Sequence, residues 1–285
     1  MQDPRVSRRR LMRLAVMGAV GLVVSTRARP AGGAPSGGAA RRDPDAILRD
    51  LLDGNRRFAG GQAAGPRRKP EDFAPLAEGQ TPDALIVGCA DSRVSPEILF
   101  DQGVGDLFVV RVAGNVVSNA GVIVKGSIEY AVVELGVPLI LVLGHTQCGA
   151  VKAVLQHLHA KDALPGAIAG LVDVMKPAVA AAKGKPGDPL DNAIRANVLA
   201  GVARLKALPP IVAPAVKRGK LTVVGGVYDL KTGVVTMIGR VPPDSRCTNA
   251  TTARARAASG APLSPPRLPS SPRRTRCTPP AWHPG

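Results

Sequence analysis

The sequence predicts an α/β fold: a central, mostly parallel sheet of four strands plus an antiparallel edge strand, flanked by helices. Three observations carry this. Residues 84–88 and 138–143 are short, almost purely apolar runs, which suit strands buried on both faces. Such runs alternate with stretches of helical periodicity, the pattern of crossover connections in a parallel sheet. Each of the two runs is followed at once by chemistry-bearing side chains, Cys89-Ala90-Asp91-Ser92-Arg93 and His145-Thr146-Gln147-Cys148. Functional groups of an open parallel sheet collect just past the carboxyl ends of its strands, so Cys89 and His145 are expected on one rim although 56 residues separate them.

In chain order, Ser7-Arg8-Arg9-Arg10-Leu11-Met12, a modest apolar run and Ser25-Thr26-Arg27-Ala28 read as a twin-arginine-type signal over residues 1–28, cleaved after Ala28. That predicts a periplasmic or extracellular protein. An uncleaved amphipathic anchor or a misassigned start codon is the plain alternative, and without the signal the protein is cytoplasmic. The apolar run of about fourteen residues is too short for a stable membrane span. Residues 29–42, rich in Ala, Gly, Pro and Arg, form a flexible linker. The folded α/β domain is then residues 43–240. Ile47, Leu48, Leu51, Leu52 and Phe58 repeat at helical spacing behind a capping Asp43 or Asp45. Residues 59–83 form a surface connection. After the first strand come a short helix opened by Pro96, a strand over 107–112, a turn at Gly114-Asn115 and a helix over 122–135 burying Ile128, Ala131, Val132 and Leu135. The strand over 138–143 delivers His145, and Cys148 starts a helix to about 158. Two or more helices occupy 165–217, followed by a strand over 221–227. The segment Asp229-Leu230-Lys231-Thr232-Gly233 is hairpin-like, which makes the last strand, 234–238, antiparallel at the sheet edge. Beyond residue 240 the text of Pro, Ser, Arg and Thr has no periodicity, and 241–285 reads as a disordered or frameshifted tail.

The formal charge of +17 is concentrated at the ends, +8 in residues 1–42 and +6 in 241–285, leaving +3 for the domain. With aromatics at 2% there is no basic patch interleaved with stacking side chains, so a nucleic-acid partner is set aside. The four cysteines fall into two unrelated pairs, Cys89 and Cys148 in the apolar middle, Cys247 and Cys277 in the tail, which does not make a disulfide scaffold.

Cys89, His145 and Cys148 are the candidate metal ligands. Zinc takes thiolate and imidazole in tetrahedral geometry, and a catalytic site keeps one position for water. His157 and His159 lie well down a helix and read as solvated, so three ligands favour catalysis over a closed structural site, at one Zn2+ per chain. Asp91, two residues from a ligand, is placed to become the fourth donor and shut the site. Arg93 offers a planar fork to hold it back. The bland reading of the pair is a surface ion pair at a helix start, worth little.

The two motifs, Cys89-Ala90-Asp91-Ser92-Arg93 and Gly144-His145-Thr146-Gln147-Cys148-Gly149, resemble those of the β-class carbonic anhydrases, with similarity from about Asn55-Arg56-Arg57-Phe58 to Gly239. The resemblance implies zinc-dependent, reversible hydration of carbon dioxide to bicarbonate and a proton by zinc-bound hydroxide. It also implies a homodimer or dimer of dimers, an N-terminal helix embracing the partner, and a pocket near the interface. On that resemblance Asp91, Arg93 and Gln80 are the catalytic residues, Gln80 orienting the substrate, and Phe108, Ala113 and Tyr130 form the apolar substrate pocket, with Tyr130 open to supply from the other subunit. The chain departs from one branch of the family at Ile86, where that branch has a Trp that helps bind an inhibitory bicarbonate. An open zinc with bound water is therefore expected. Two thiolates neutralise the metal, so activity is expected to favour alkaline pH. The rivals are hydrolysis of carbon disulfide or carbonyl sulfide on the same scaffold, a non-catalytic structural zinc, and a Cys89–Cys148 redox pair.

Overall fold

The computed structural model describes residues 41–117, 121–158 and 164–239. The expectations for a signal, a linker up to residue 40 and a tail from 241 lie outside the described residues. The first helix, α1 (Pro44–Ala59), starts where Asp43 accepts a hydrogen bond from Ala46 N–H and proline occupies the first turn. Its apolar stripe buries Ile47, Leu48 and Leu51 against Leu99 and Phe100. Strands β1 (Ala84–Cys89) and β2 (Leu107–Val112) are linked through α2 (Pro96–Leu99), and α3 (Gly121–Val133) leads to β3 (Leu139–His145). Three longer helices follow, α4 (Gly149–His157), α5 (Ile168–Ala181) and α6 (Pro189–Lys206), and then a short α7 (Val212–Lys217). Strand β4 (Thr222–Tyr228) turns back into β5 (Val235–Ile238).

The five strands are ordered β2-β1-β3-β4-β5, parallel except for the β4–β5 pair. The predicted class therefore holds, including the antiparallel edge. Strands β1 and β3 are buried along their whole length, as continuous apolar runs require. The order also supplies something the sequence did not. The chain leaves β1 for β2 on one side and returns past it to β3 on the other, so a crevice opens between the carboxyl ends of β1 and β3. Cys89 ends one of these strands and His145 the other.

Side-chain alternation along β1 sends Leu85, Val87 and Cys89 towards the core shared with α3 to α6, and Ala84 and Ile86 towards the core under α1. Helix α6 lies close to the sheet because it meets glycines. A Cβ on Gly144 would come within 2.5 Å of Val198 Cγ2, and one on Gly225 within 2.9 Å of Val198 Cγ1. Buried Asn55 ties α1 to the far end of the domain: it donates to Leu99 O and Gly233 O and accepts from Val235 N–H. Among the described residues no helix is long and apolar enough to cross a membrane.

Candidate metal centre

Cys89, His145 and Cys148 are all buried, and their donor atoms lie within 4.8 Å of one another. A single ion could draw all three donors onto bonds of about 2.0–2.3 Å with a small inward shift of the side chains. The loop between β3 and α4 is fixed by its neighbours. Thr146 N–H donates to Tyr228 O, and Leu230 N–H donates to Thr146 Oγ1. Gln147 takes a left-handed φ of 56°, and Cys148 then stands at the N-cap of α4, its backbone carbonyl accepting from Lys152 N–H.

The donor set fits zinc on its own chemistry. His145 Nδ1 donates to Thr146 O at 2.9 Å, which leaves the Nε2 lone pair free, and buried Nε2 has no hydrogen-bond partner. An orphaned buried nitrogen facing two sulfurs is a poor arrangement unless a cation joins them. The Cys89 pKa is lowered to about 4, chiefly by the neighbouring Cys148 side chain; burial opposes this, while His145 and the N–H groups of Asp91 and Gly114 assist. The Cys148 pKa is pushed up, first by the neighbouring Cys89 side chain and then by burial. Metal ligation needs both sulfurs as thiolates, so a cation bound at this cluster displaces the protons they carry.

Asp91 lies at the mouth of the cluster, its Oδ2 3.7 Å from His145 Nε2. Arg93 grips it with both arms of its guanidinium, Nε to Oδ1 at 2.9 Å and Nη2 to Oδ2 at 2.7 Å, and Arg93 N–H adds a third bond to Oδ1 at 3.0 Å. These bonds hold the Asp91 carboxyl well below the usual carboxylate range, the Arg93 side chain contributing most. The bland reading, a loose surface ion pair, does not describe a three-bond clamp beside three buried ligands.

The remaining expected residues divide into two groups. Ala113 stays with the metal, since it follows Val112, which pairs with Cys89, and precedes Gly114, whose N–H donates to Cys89 Sγ at 3.2 Å. Phe108 pairs instead with Leu85, four positions back along the strand, about 13 Å from that rim. Its ring packs against Tyr130, with centroids 6.1 Å apart. Exposed Gln80 lies on the loop before Ala84, at the leading end of β1, a strand length of about 17 Å from Cys89. Within one chain these three do not join the cluster. His157 is half-buried at the end of α4, not solvated. Some supports escaped sequence reasoning. Arg111 donates from Nε to Cys89 O at 2.9 Å and from Nη2 to Asp91 O at 2.5 Å, bracing both ends of the Cys-x-Asp segment. Its only trace is a charge in an otherwise apolar strand. Gly114 read as a mere turn, and Asn197, a polar residue on a buried helix face, went unremarked.

A doubly wound α/β domain with a Cys-His-Cys metal site at its switch point, and a restrained carboxylate beside a fourth position, defines a zinc lyase or hydrolase of the metal-activated-water type. Comparison with known proteins narrows this. A carbonic anhydrase family profile matches residues 84–235. The carbonic anhydrase of Mycolicibacterium smegmatis is 42% identical over 193 residues, 68% of this chain and 92% of that one. A Coccomyxa β-carbonic anhydrase solved with acetazolamide shares 38% identity over 67% of this chain and 86% of its own, at a TM-score of 0.54. A tetrameric β-carbonic anhydrase of Sordaria macrospora shares 27% over 68% and 98%, at 0.53. The chain belongs to the carbonic anhydrase family, in its β class.

Proposed function

We propose that this chain interconverts carbon dioxide and bicarbonate, with Asp91 and Arg93 governing the open position of the metal site. The observation that carries the reading is the three-bond clamp of Arg93 on Asp91, 3.7 Å from a ligand nitrogen. Zinc held by Cys89, His145 and Cys148 supplies a Lewis acid that activates water near neutral pH. A carboxylate held back by a guanidinium accepts a hydrogen bond from the nucleophile without displacing it, and so aims its lone pair. The low pKa of Asp91 keeps that acceptor ionised throughout the neutral range. Ala113 contributes apolar wall beside Cys89, suited to a substrate without charge.

Gln80, Phe108 and Tyr130 are read as serving the site of a second copy. All three lie near the leading ends of β1 and β2 or on α3, and α3 exposes Val122 (78%), Ile123 (78%), Val133 (55%) and Tyr130 (46%). Such an apolar face suits an isologous dimer, in which each subunit gives these side chains to the partner's metal rim. There the Gln80 amide donates to substrate oxygen as negative charge develops. The tetrameric Sordaria relative supports assembly of some order. The Ser7-Arg8-Arg9-Arg10 start further supports export by the twin-arginine route. Loss of secretion on Arg8→Lys with Arg9→Lys tests that reading, and unchanged secretion refutes it.

The test of activity is stopped-flow carbon dioxide hydration alongside metal analysis. Asp91→Asn is expected to keep one zinc per chain and lose turnover by roughly 10²-fold or more. Full activity in metal-free protein overturns the reading.

A further inference from the structure

Two hydrogen bonds in series connect helix α6 to the metal site. Asn197, only 7% exposed, donates from Nδ2 to Gly114 O at 2.8 Å, and Gly114 N–H donates to Cys89 Sγ at 3.2 Å. The bonds run across 83 and 25 residues of sequence, so both depend on the tertiary fold. Gly114 has φ 70° and ψ 19°, and a Cβ there would come 2.7 Å from Met175 Sδ and 3.2 Å from Ala150 Cβ. Both the conformation and the space demand glycine. Glycine cannot hold the angle, however, because the freedom that lets it adopt φ 70° also lets it leave. The N–H aimed at sulfur and the carbonyl held by Asn197 belong to the two peptide planes that meet at the Gly114 Cα, so the two bonds together confine the φ and ψ between them, and loss of the Asn197 bond frees one of the two planes. The neighbouring Asn115 offers no such restraint from its Nδ2, which is buried without a partner.

We infer that Asn197 is a positioning residue for the zinc site: it locks Gly114 so that its N–H stays on the Cys89 sulfur and moderates how strongly that sulfur donates to the metal. A hydrogen bond to a thiolate ligand draws charge from sulfur, stabilises it unprotonated, and leaves the metal more electron-poor. With two thiolates in the set, such withdrawal bears directly on how well the metal activates water. The inference rests on the zinc reading above.

The test uses the full-length protein with zinc exchanged for Co2+, whose thiolate charge-transfer bands report sulfur donation, and with 113Cd2+ for NMR. Asn197→Leu replaces the amide by an apolar side chain of similar size. It is expected to weaken Co2+ binding in chelator competition by roughly tenfold or more and to shift the charge-transfer band, with an unchanged circular dichroism spectrum. Asn197→Asp, which turns the donor into an acceptor facing Gly114 O, is expected to act in the same direction. In 15N-labelled wild-type protein loaded with 113Cd2+, a scalar coupling between the metal and the Gly114 amide proton is expected, and this measurement needs no variant. Wild-type affinity and band position in a folded variant, or no coupling in the wild type, overturns the inference. A wild type that takes up neither Co2+ nor 113Cd2+ overturns the zinc reading itself, and shows it before any variant is compared.

Discussion

Arg93 touches none of the three metal donors, yet the site depends on it. Asp91 Oδ2 is 3.7 Å from His145 Nε2, near enough for a modest rotation to bring the carboxylate onto a metal held there. The force against that rotation is geometric as much as electrostatic, because the guanidinium occupies both carboxylate oxygens at once. Lysine preserves the charge but presents a single, mobile donor point. Arg93→Lys is therefore expected to retain one zinc per chain while turnover falls roughly tenfold or more, which paired metal analysis and hydration kinetics measure. Wild-type turnover in Arg93→Lys would reduce the pair to a charge effect. A similar contrast between charge and shape holds at Arg111, whose two N–H groups reach two backbone carbonyls.

At the scale of elements, the site is placed by close packing. Helix α6 can approach β3 and β4 only because Gly144 and Gly225 carry no side chain, and Gly144 immediately precedes His145. Gly144→Ala drives a methyl to 2.5 Å from Val198 Cγ2, so α6 or the strand must shift. The expected cost is about 1–3 kcal/mol of stability, with weaker zinc binding. Val198→Ala should restore part of both in the double variant, and thermal unfolding with chelator competition reads the coupling. A second device secures the loop after α1. Asp101, at φ 48° and fully buried, accepts from Arg57 Nε at 2.7 Å, Ala64 N–H at 3.0 Å and Gly65 N–H at 2.8 Å. Burial works against its ionisation, but these donors prevail and its pKa is lowered. A carboxyl lowered on folding stabilises above its unfolded pKa of about 3.9 and loses that contribution as pH falls through the folded value. Asp101→Asn, which tolerates the same φ, is expected to be destabilised by roughly 2 kcal/mol at pH 7. Urea titrations should show the gap closing below about pH 4, and a gap constant from pH 7 to 3 would assign the role to shape alone. These devices also mark the limit of what the sequence discloses. Strands β1 and β3 were legible because continuous apolar runs have few other uses, and the three ligands because each follows such a run or sits within one turn of it. Asn197, Gly114 and Asp101 were not legible, because their partners lie 25 to 83 residues away and no local pattern marks the pairing.

At the scale of the whole molecule, the question is why Gln80 and Phe108, expected at the site from the resemblance, stand at the far end of β1 and β2 from Cys89, with Tyr130 packed beside Phe108. Moving them within the chain would mean dismantling β1 and β2, whose six-residue register fixes the distance. The dimer proposed above answers this, since a two-fold axis beside the apolar face of α3 would bring the leading end of one subunit's strands to the carboxyl rim of the other. This makes a prediction that a single-chain site cannot meet. Asp91→Asn disables the metal side of a subunit but leaves its donor side intact, whereas Gln80→Ala with Tyr130→Ala does the reverse. Each variant alone is expected to be nearly inactive. Mixed and reassembled in equal amounts, half the dimers contain one of each, and one of their two sites then has every wild-type residue. Hydration activity should therefore recover to about a quarter of the wild-type value under random pairing. If Gln80 and Tyr130 instead act within their own chain, no mixture holds an intact site and activity stays at the level of the parents. Ile123→Asp supplies the converse: on the proposed dimer it should lower the mass in light scattering towards the monomer and remove turnover while one zinc per chain remains, because the three ligands come from a single chain and the proposed pocket does not.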